Sequence, residues 1–277
     1  MNTQEILQVA LECAGLNEVP ADSGVVHPRE EVKRILTGID ITESEMLLAK
    51  ELGIDTVFLH HPTGGRPRMG SSEVLLDQIP QMVRAGVPIN KAQKALCKKR
   101  YGECIRRFHA LNVTRSADAA GMLGLGMIAC HTPADLVAER TVQDFLDQRF
   151  GGQPHTRLSA VVDALLSIPE YKNCLSGPVI RVGSGNSYAG KILVQFSGGT
   201  TGGADVIRAF FAAGVGTLVM MHCPDDVIEA AKEQNIGNIL VAGHISSDSI
   251  GMNGILRVLE ERYGIEVVRC SGLLDYR

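Results

Sequence analysis

Apolar, β-rich runs alternate with helix-period segments along almost the whole chain, and no other feature constrains the fold as tightly. The runs fall at residues 34–39, 56–59, 124–130, 178–182, 191–196, 217–221 and 238–242, with a last one at 266–269. Between them the spacing predicts helices at 3–14, 44–52, 72–85, 90–111, 132–149, 204–213, 225–234 and 250–263. Thr42 ahead of Glu45 has the form of a helix start. Such alternation predicts an α/β fold with largely parallel sheets flanked by helices.

The break Phe150-Gly151-Gly152-Gln153-Pro154 divides the chain into two lobes, 1–149 and 150–277. The run at 266–269 closes one sheet and could pair with either. One internal echo points to two lobes of the same type. Gly53 lies eight residues before His61, and Gly214 lies eight before His222, each pair spanning a helix–Gly–strand–His unit. On that reading the lobes face each other across a cleft.

Three of the apolar runs end in a polar cluster. Thr56-Val57-Phe58-Leu59 delivers His60-His61-Pro62; the run at 124–130 delivers His131-Thr132-Pro133-Ala134-Asp135; the run at 238–242 delivers Gly243-His244 and then Asp248. Residues just past the carboxyl ends of parallel strands share one rim, where open α/β sheets place their sites. Taken singly, each cluster has an ordinary explanation. A His pair can sit idle in a loop, Asp135 suits the first turn of a helix, and His244 with Asp248 at i, i+4 recurs by chance.

Together, His60, His61, Asp135, His244 and Asp248 make three imidazoles and two carboxylates. Mixed nitrogen and oxygen donors suit zinc, manganese, iron, cobalt or nickel. Five donors exceed what one open catalytic ion needs, so two divalent ions sharing a carboxylate are the natural use of the set. His222, the counterpart of His61 in the echo, is a candidate acid/base. His131 and Asp40 are candidates to orient ligands. The Thr132 hydroxyl suits a helix cap, and His27, His109 and His155 read as surface or loop residues.

Composition excludes several classes. The chain of 277 residues has ordinary apolar and charged fractions and a net charge of −4, which gives no bias toward nucleic acid or membrane. Its longest apolar stretches are glycine-broken and too short to span a bilayer, and no signal peptide is read at the first residues. The absence of tryptophan argues against a stacking surface for single strands. Seven cysteines without a C-x-x-C pair read as free, mostly buried thiols in the cytoplasm.

The motifs Gly38-Ile39-Asp40-Ile41-Thr42, His60-His61-Pro62, His131-Thr132-Pro133-Ala134-Asp135 and Gly243-His244 with Asp248 resemble, in order and spacing, the NIF-three-like family, whose members include GTP cyclohydrolase I type 2 homologues. The resemblance spans nearly the whole chain. It implies a dinuclear metal site between two similar α/β lobes and a ring-shaped homohexamer. By match of motif, His60 and His61 would serve different ions, Asp135 would join one, His244 the other, and Asp248 would bridge. It also implies metal-dependent hydrolysis, with a purine nucleotide or another phosphorylated small molecule as substrate. The chain departs from the family in carrying Asp248 where Glu is usual, and in a longer, basic helical insertion at about 72–111.

That insertion holds Lys91, Lys94, Lys98, Lys99, Arg100, Arg106 and Arg107. It reads either as a solvated face or as a cationic lid for phosphate, with Arg66 and Arg68 nearby. The run Ser197-Gly198-Gly199-Thr200-Thr201-Gly202-Gly203 lacks the lysine–serine ending of a P-loop and reads as a tight turn near the metal pocket rather than an anion cradle. The rival to a hydrolase is a non-catalytic metal-carrying or scaffold protein, because no nucleophile–base pair is visible apart from the metal donors.

Overall fold

Asn2 opens the first helix, α1 (Thr3–Ala14), by accepting from Glu5 N at 2.8 Å while the Glu5 carboxylate accepts from Asn2 N at 2.8 Å. Gly15 ends it in the left-handed conformation, φ 70°. The face bearing Ile6, Leu7 and Ala10 is buried against Ile35, Phe58 and Ile128. This computed structural model describes residues 1–276.

The chain continues through β1 (Gly24–His27), β2 (Arg34–Gly38), α2 (Glu43–Glu51) and β3 (Thr56–Leu59). A helical excursion follows: α3 (Gly65–Gly70), a 3-10 turn (Val74–Asp77), α4 (Gln78–Ala85), α5 (Ile89–Cys97), α6 (Arg100–His109) and α7 (Arg115–Leu123). Then come β4 (Gly126–Ala129) and the long α8 (Thr132–Phe150). The remainder runs α9 (Leu158–Leu165), α10 (Pro169–Lys172), β5 (Val179–Val182), β6 (Ile192–Gln195), α11 (Ala204–Ala212) and β7 (Thr217–Met220). It closes with α12 (Asp225–Gln234), β8 (Asn238–Val241), α13 (His244–Tyr263) and β9 (Glu266–Arg269).

These strands form two sheets flanked by helices, as the alternation predicts. The order is β1-β4-β3-β2-β9 in one and β5-β8-β7-β6 in the other. In both, an antiparallel edge strand precedes three parallel ones, so β1 to β4 and β5 to β8 repeat one arrangement. The echo read in the sequence is part of this repeat: β3 and β7 are equivalent central strands, and Gly53 (φ 67°) and Gly214 (φ 92°) make the left-handed turns ahead of them. The last strand, β9, leaves the second half and pairs parallel to β2.

Two edges are closed by different means. Beside β2 the edge is covered by β9. Beside β6 it is covered by side chains of α8: Gln143 Oε1 accepts from Val194 N at 2.7 Å, and Glu139 Oε2 accepts from Phe196 N and Ser197 N, both at 2.9 Å. The residues Glu139 and Gln143 are one helical turn apart, which matches the alternate outward N–H groups of an edge strand.

Helices α8 and α13, which follow the equivalent strands β4 and β8, pack on each other in close contact. A Cβ at Gly251 would overlap the Ala134 carbonyl oxygen, and one at Gly254 would stand 2.8 Å from Val137. Glycine at these two positions sets how near the two helices can approach.

The elements differ from expectation in a few places. The 90–111 helix is interrupted at Lys98–Lys99, between α5 and α6, and the first turn of the 72–85 helix is 3-10. Leu75, Met82, Leu96 and Cys104 of this excursion pack with Val206, Phe210 and Leu218, against the second sheet. Strand β1 and helices α3, α7, α9 and α10 were not anticipated, and His27 lies in β1 with Nε2 2.7 Å from Ala117 O. All seven cysteines are free as expected, but only Cys104 and Cys130 are buried.

Candidate metal centre

The ladder between β2 and β3 runs one step past the strand ends, with His60 N donating to Gly38 O (3.1 Å) and His61 N to Ile39 O (3.0 Å). The two imidazoles are thereby delivered to the carboxyl rim of the first sheet, their ring centres 4.7 Å apart. Helix α8 begins just beyond β4 and carries Asp135 in its first turn; α13 begins just beyond β8 and carries His244 and Asp248. The close packing of α8 on α13 brings the two carboxylates together. All five residues singled out in the sequence therefore come together, in two groups that share Asp248.

The geometry is that of donors facing a common centre. His60 Nε2 is 3.4 Å from Asp135 Oδ1 and 3.5 Å from Asp248 Oδ1. The other Asp248 oxygen, Oδ2, is 3.5 Å from both His61 Nε2 and His244 Nε2. Two ligands bound tetrahedrally at about 2.1 Å from one ion stand roughly 3.4 Å apart, so these spacings fit a divalent cation. His60 Nε2, Asp135 Oδ1 and both Asp248 oxygens are buried without a hydrogen-bond partner. Buried polar atoms are rarely left so, and a bound ion is one standard reason. These His/Asp groups could hold a metal ion.

The imidazoles of His60 and His61 are each oriented through the other ring nitrogen. His60 Nδ1 lies 3.3 Å from Cys130 O, and His61 Nδ1 lies 2.8 Å from Asp40 Oδ1. Asp40 thus stands where the sequence analysis put it. His131 was expected only to orient Asp135; instead its Nε2 is 3.8 Å from Asp135 Oδ2, and its ring lies 4.9 Å from that of His60. Its donor atom falls in a group with His60 and His61, so it faces the cluster itself. Its Nδ1 is held by Asp22 Oδ2 at 2.6 Å, and the same oxygen accepts from Thr132 Oγ1 at 2.8 Å. The Thr132 hydroxyl therefore does not cap α8; His131 occupies the cap position. Asp22 was missed altogether, because nothing near it in the sequence marks it.

Burial sorts the protonation states. It pushes the His60 imidazole down to about 4, against the pull of Asp248. At His131 burial acts in the same direction, but the Asp135 and Asp22 carboxylates overcome it and raise the group to about 9. Asp135 is raised by burial and by the neighbouring Asp248 charge, with His131 opposing. Burial would also raise Asp248, yet His60 and the other imidazoles bring it down to about 2. A neutral imidazole and an ionised carboxylate are the forms that bind cations.

The inner residues His60, Asp135 and Asp248 are buried, while His61 and His244 form a more open rim. His222 stands at that rim, its ring centre 4.9 Å from that of His244, with its pKa lowered by desolvation and by repulsion from His244. A cavity of about 30 Å3 adjoins the cluster, bordered by Gly199, Thr200 and Thr201 of the glycine-rich run. That run is tied down by Gln78, whose Nε2 donates to Gly198 O at 3.0 Å, and by Arg100, whose Nε donates to Thr201 O at 2.9 Å. Among the basic residues of the excursion, Arg100 is engaged here, whereas Lys91, Lys94, Lys98, Lys99, Arg106 and Arg107 are exposed.

No family model and no curated protein matches the chain. Among solved structures, a NIF3 superfamily protein from Sphaerobacter thermophilus is 35% identical, with a TM-score of 0.93 and 99% of each chain covered. Reduced HcgD from Methanocaldococcus jannaschii shares the fold at 14% identity and a TM-score of 0.60, over 97% of each chain. TTHA1606 from Thermus thermophilus does so at 16% identity and a TM-score of 0.56, over 100% of this chain and 99% of its own. With 35% identity to the first of these across its whole length, the chain belongs to the NIF3 superfamily.

Proposed function

We propose that the cluster holds two divalent cations, drawn from zinc, manganese, iron, cobalt or nickel, and that the protein is a metal-dependent hydrolase. One cation would lie among His60, Asp135 and Asp248, the other among His61, His244 and Asp248, with one oxygen of the shared carboxylate facing each. The observation that carries this reading is the pair of Asp248 oxygens, buried and unpartnered, with imidazole donors on both sides. Cations held there would supply Lewis acidity and a water of lowered pKa, which is the chemistry of hydrolysis.

The remaining work falls to the chain's own residues. Asp40 fixes the His61 ring so that Nε2 faces inward, and Asp22 does the same for His131. His222, on the open side beside His244, is placed to take or give a proton at its imidazole. The substrate class carried by the family resemblance is a phosphorylated small molecule, with ring opening of a purine nucleotide as the example. The same resemblance supports a homohexameric ring, and the seven free cysteines support a reducing, cytoplasmic setting.

A second reading, a non-catalytic metal carrier or scaffold, is favoured by one observation. The space beside the cluster, about 30 Å3, admits a water molecule but not a nucleotide. Elemental analysis of protein purified without added ions, followed by turnover assays on nucleotides and phosphoesters under each metal, separates the two. The hydrolase reading expects two ions per chain and metal-dependent turnover. Bound metal without turnover of any substrate, and transfer of ions to a client protein, would establish the carrier.

A further inference from the structure

Helix α6 bears Arg100, Arg106 and Arg107, none of them in an ion pair among the described residues. Across from it, on α3, Arg68 is half-buried with its guanidinium carbon 5.3 Å from the centre of the Phe108 ring. Arg68 Nη1 donates to Pro62 O at 3.2 Å, on the residue that follows His61. The ring and the carbonyl together hold the guanidinium in place beside the corner that delivers the paired imidazoles.

That arrangement spends one nitrogen and spares a whole edge. Nε and Nη2 of Arg68 lie side by side, have no partner among the described residues, and are not enclosed by protein. Arg100, at the other end of α6, differs in this respect: its Nε is taken by Thr201 O at 2.9 Å. Arg68 also lacks a counter-charge. Among the described residues no carboxylate stands within ion-pair distance of it, and the charge that acts on it is that of Arg107, the neighbour of Phe108. Burial lowers its pKa, and repulsion from Arg107 lowers it further. Two cations kept together in partly desolvated surroundings are unfavourable until an anion joins them.

A phosphoryl monoester suits this pair better than a carboxylate does. It has three terminal oxygens and close to two negative charges. Two oxygens can take the parallel N–H groups of the Arg68 edge, and the third is left for Arg107. A carboxylate, with two oxygens and one charge, would leave Arg107 unmatched. We infer that Arg68 and Arg107 form a binding site for the phosphoryl group of a small molecule, beside the His61 side of the cation cluster. That the rest of the ligand then reaches the cations rests on the hydrolase reading; the phosphoryl site itself does not. The net charge of −4 and the small number of arginines at this spot favour a small molecule over a nucleic acid.

Saturation-transfer NMR with phenyl phosphate as its dianion tests the site on the whole protein, both metal-loaded and chelator-treated. Binding is expected in both states, weakened about tenfold by Arg68→Gln and by Arg107→Gln. Arg68→Lys keeps the charge without the two-donor edge and should recover only part of the loss. Arg106→Gln, on the same helix, should bind as the unaltered protein does. Equal binding by Arg68→Gln and Arg107→Gln, or an equal loss in Arg106→Gln, would overturn the site. So would tighter binding of a short single-stranded oligonucleotide than of phenyl phosphate, which would make the patch a nucleic-acid contact. The exposed Arg107 keeps the test valid if Arg68→Gln fails to fold. Binding confined to the metal-loaded protein would put the phosphate on the cations and reject the arginine site alone, whereas absence of bound metal with arginine-dependent binding intact would reject only the cation proposal.

Discussion

A single carboxylate carries the centre of this molecule. Asp248 sets one oxygen toward His60 and the other toward His61 and His244, all at 3.5 Å, from a side chain with no measurable exposure. Replacing it with alanine removes the donor common to both groups. Under the two-cation proposal Asp248→Ala is therefore expected to lose both ions by elemental analysis, and retention of one per chain would contradict a shared role. His222→Ala should keep full metal content while lowering any turnover, because His222 lies outside the donor groups. His131 was undervalued from sequence although its relation to Asp135 repeats that of His244 to Asp248: both are His-x-x-x-Asp at the start of the helix after an equivalent strand. Seen that way, the repeat itself marked it as facing the cluster. Asp22 had no such signal, since its partner is 109 residues away.

At the scale of elements, the donors meet because two helices touch. Gly251 faces the Ala134 carbonyl so closely that any side chain must displace α13 from α8. Gly251→Ala gains about 1 kcal/mol of helix propensity but loses about 3 kcal/mol to overpacking. A net destabilisation near 2 kcal/mol is expected in urea unfolding, together with weaker metal binding as Asp135 and Asp248 separate. Unchanged stability and metal content would show that the helices can part without harm. The fully buried strands were legible because their apolar runs have no polar interruptions, as at Val57-Phe58-Leu59. Strand β1 was not, because it is a four-residue edge of intermediate burial whose pairing partner lies in a distant segment. The break between α5 and α6 was hidden for another reason: the sequence there, Cys97-Lys98-Lys99-Arg100, has no helix breaker, and Leu96 and Cys104 on its two sides both pack in the core of the second sheet, a tertiary contact that local sequence does not show.

For the whole molecule, the same charges that suit cations make the metal-free protein sensitive to pH. His131, at about 9 when folded and 6.5 when unfolded, contributes stability that is complete below 6.5 and is lost as pH rises through about 9. His60, lowered to about 4 from 6.5, acts on the other side: as pH falls from 6.5 toward 4 the unfolded chain binds a proton that the folded one refuses. The Tm of chelator-treated protein should therefore fall as pH rises from 6.5 through about 9, while below 6.5 Asp135, raised by burial, opposes the effect of His60. In His131→Gln the alkaline decline should flatten, and a decline as steep as in the unaltered protein would assign it to another group. No helix of the described residues is long and apolar enough to cross a membrane.

The crossing of β9 back to β2 has a consequence for how the halves can be handled. A fragment ending near Phe150 would leave the β2 edge bare and prone to recruit a neighbour's strand, while a fragment beginning there would carry a ninth strand with no seat. Co-expressed, the two pieces have a built-in clasp; apart, each is left holding half of it.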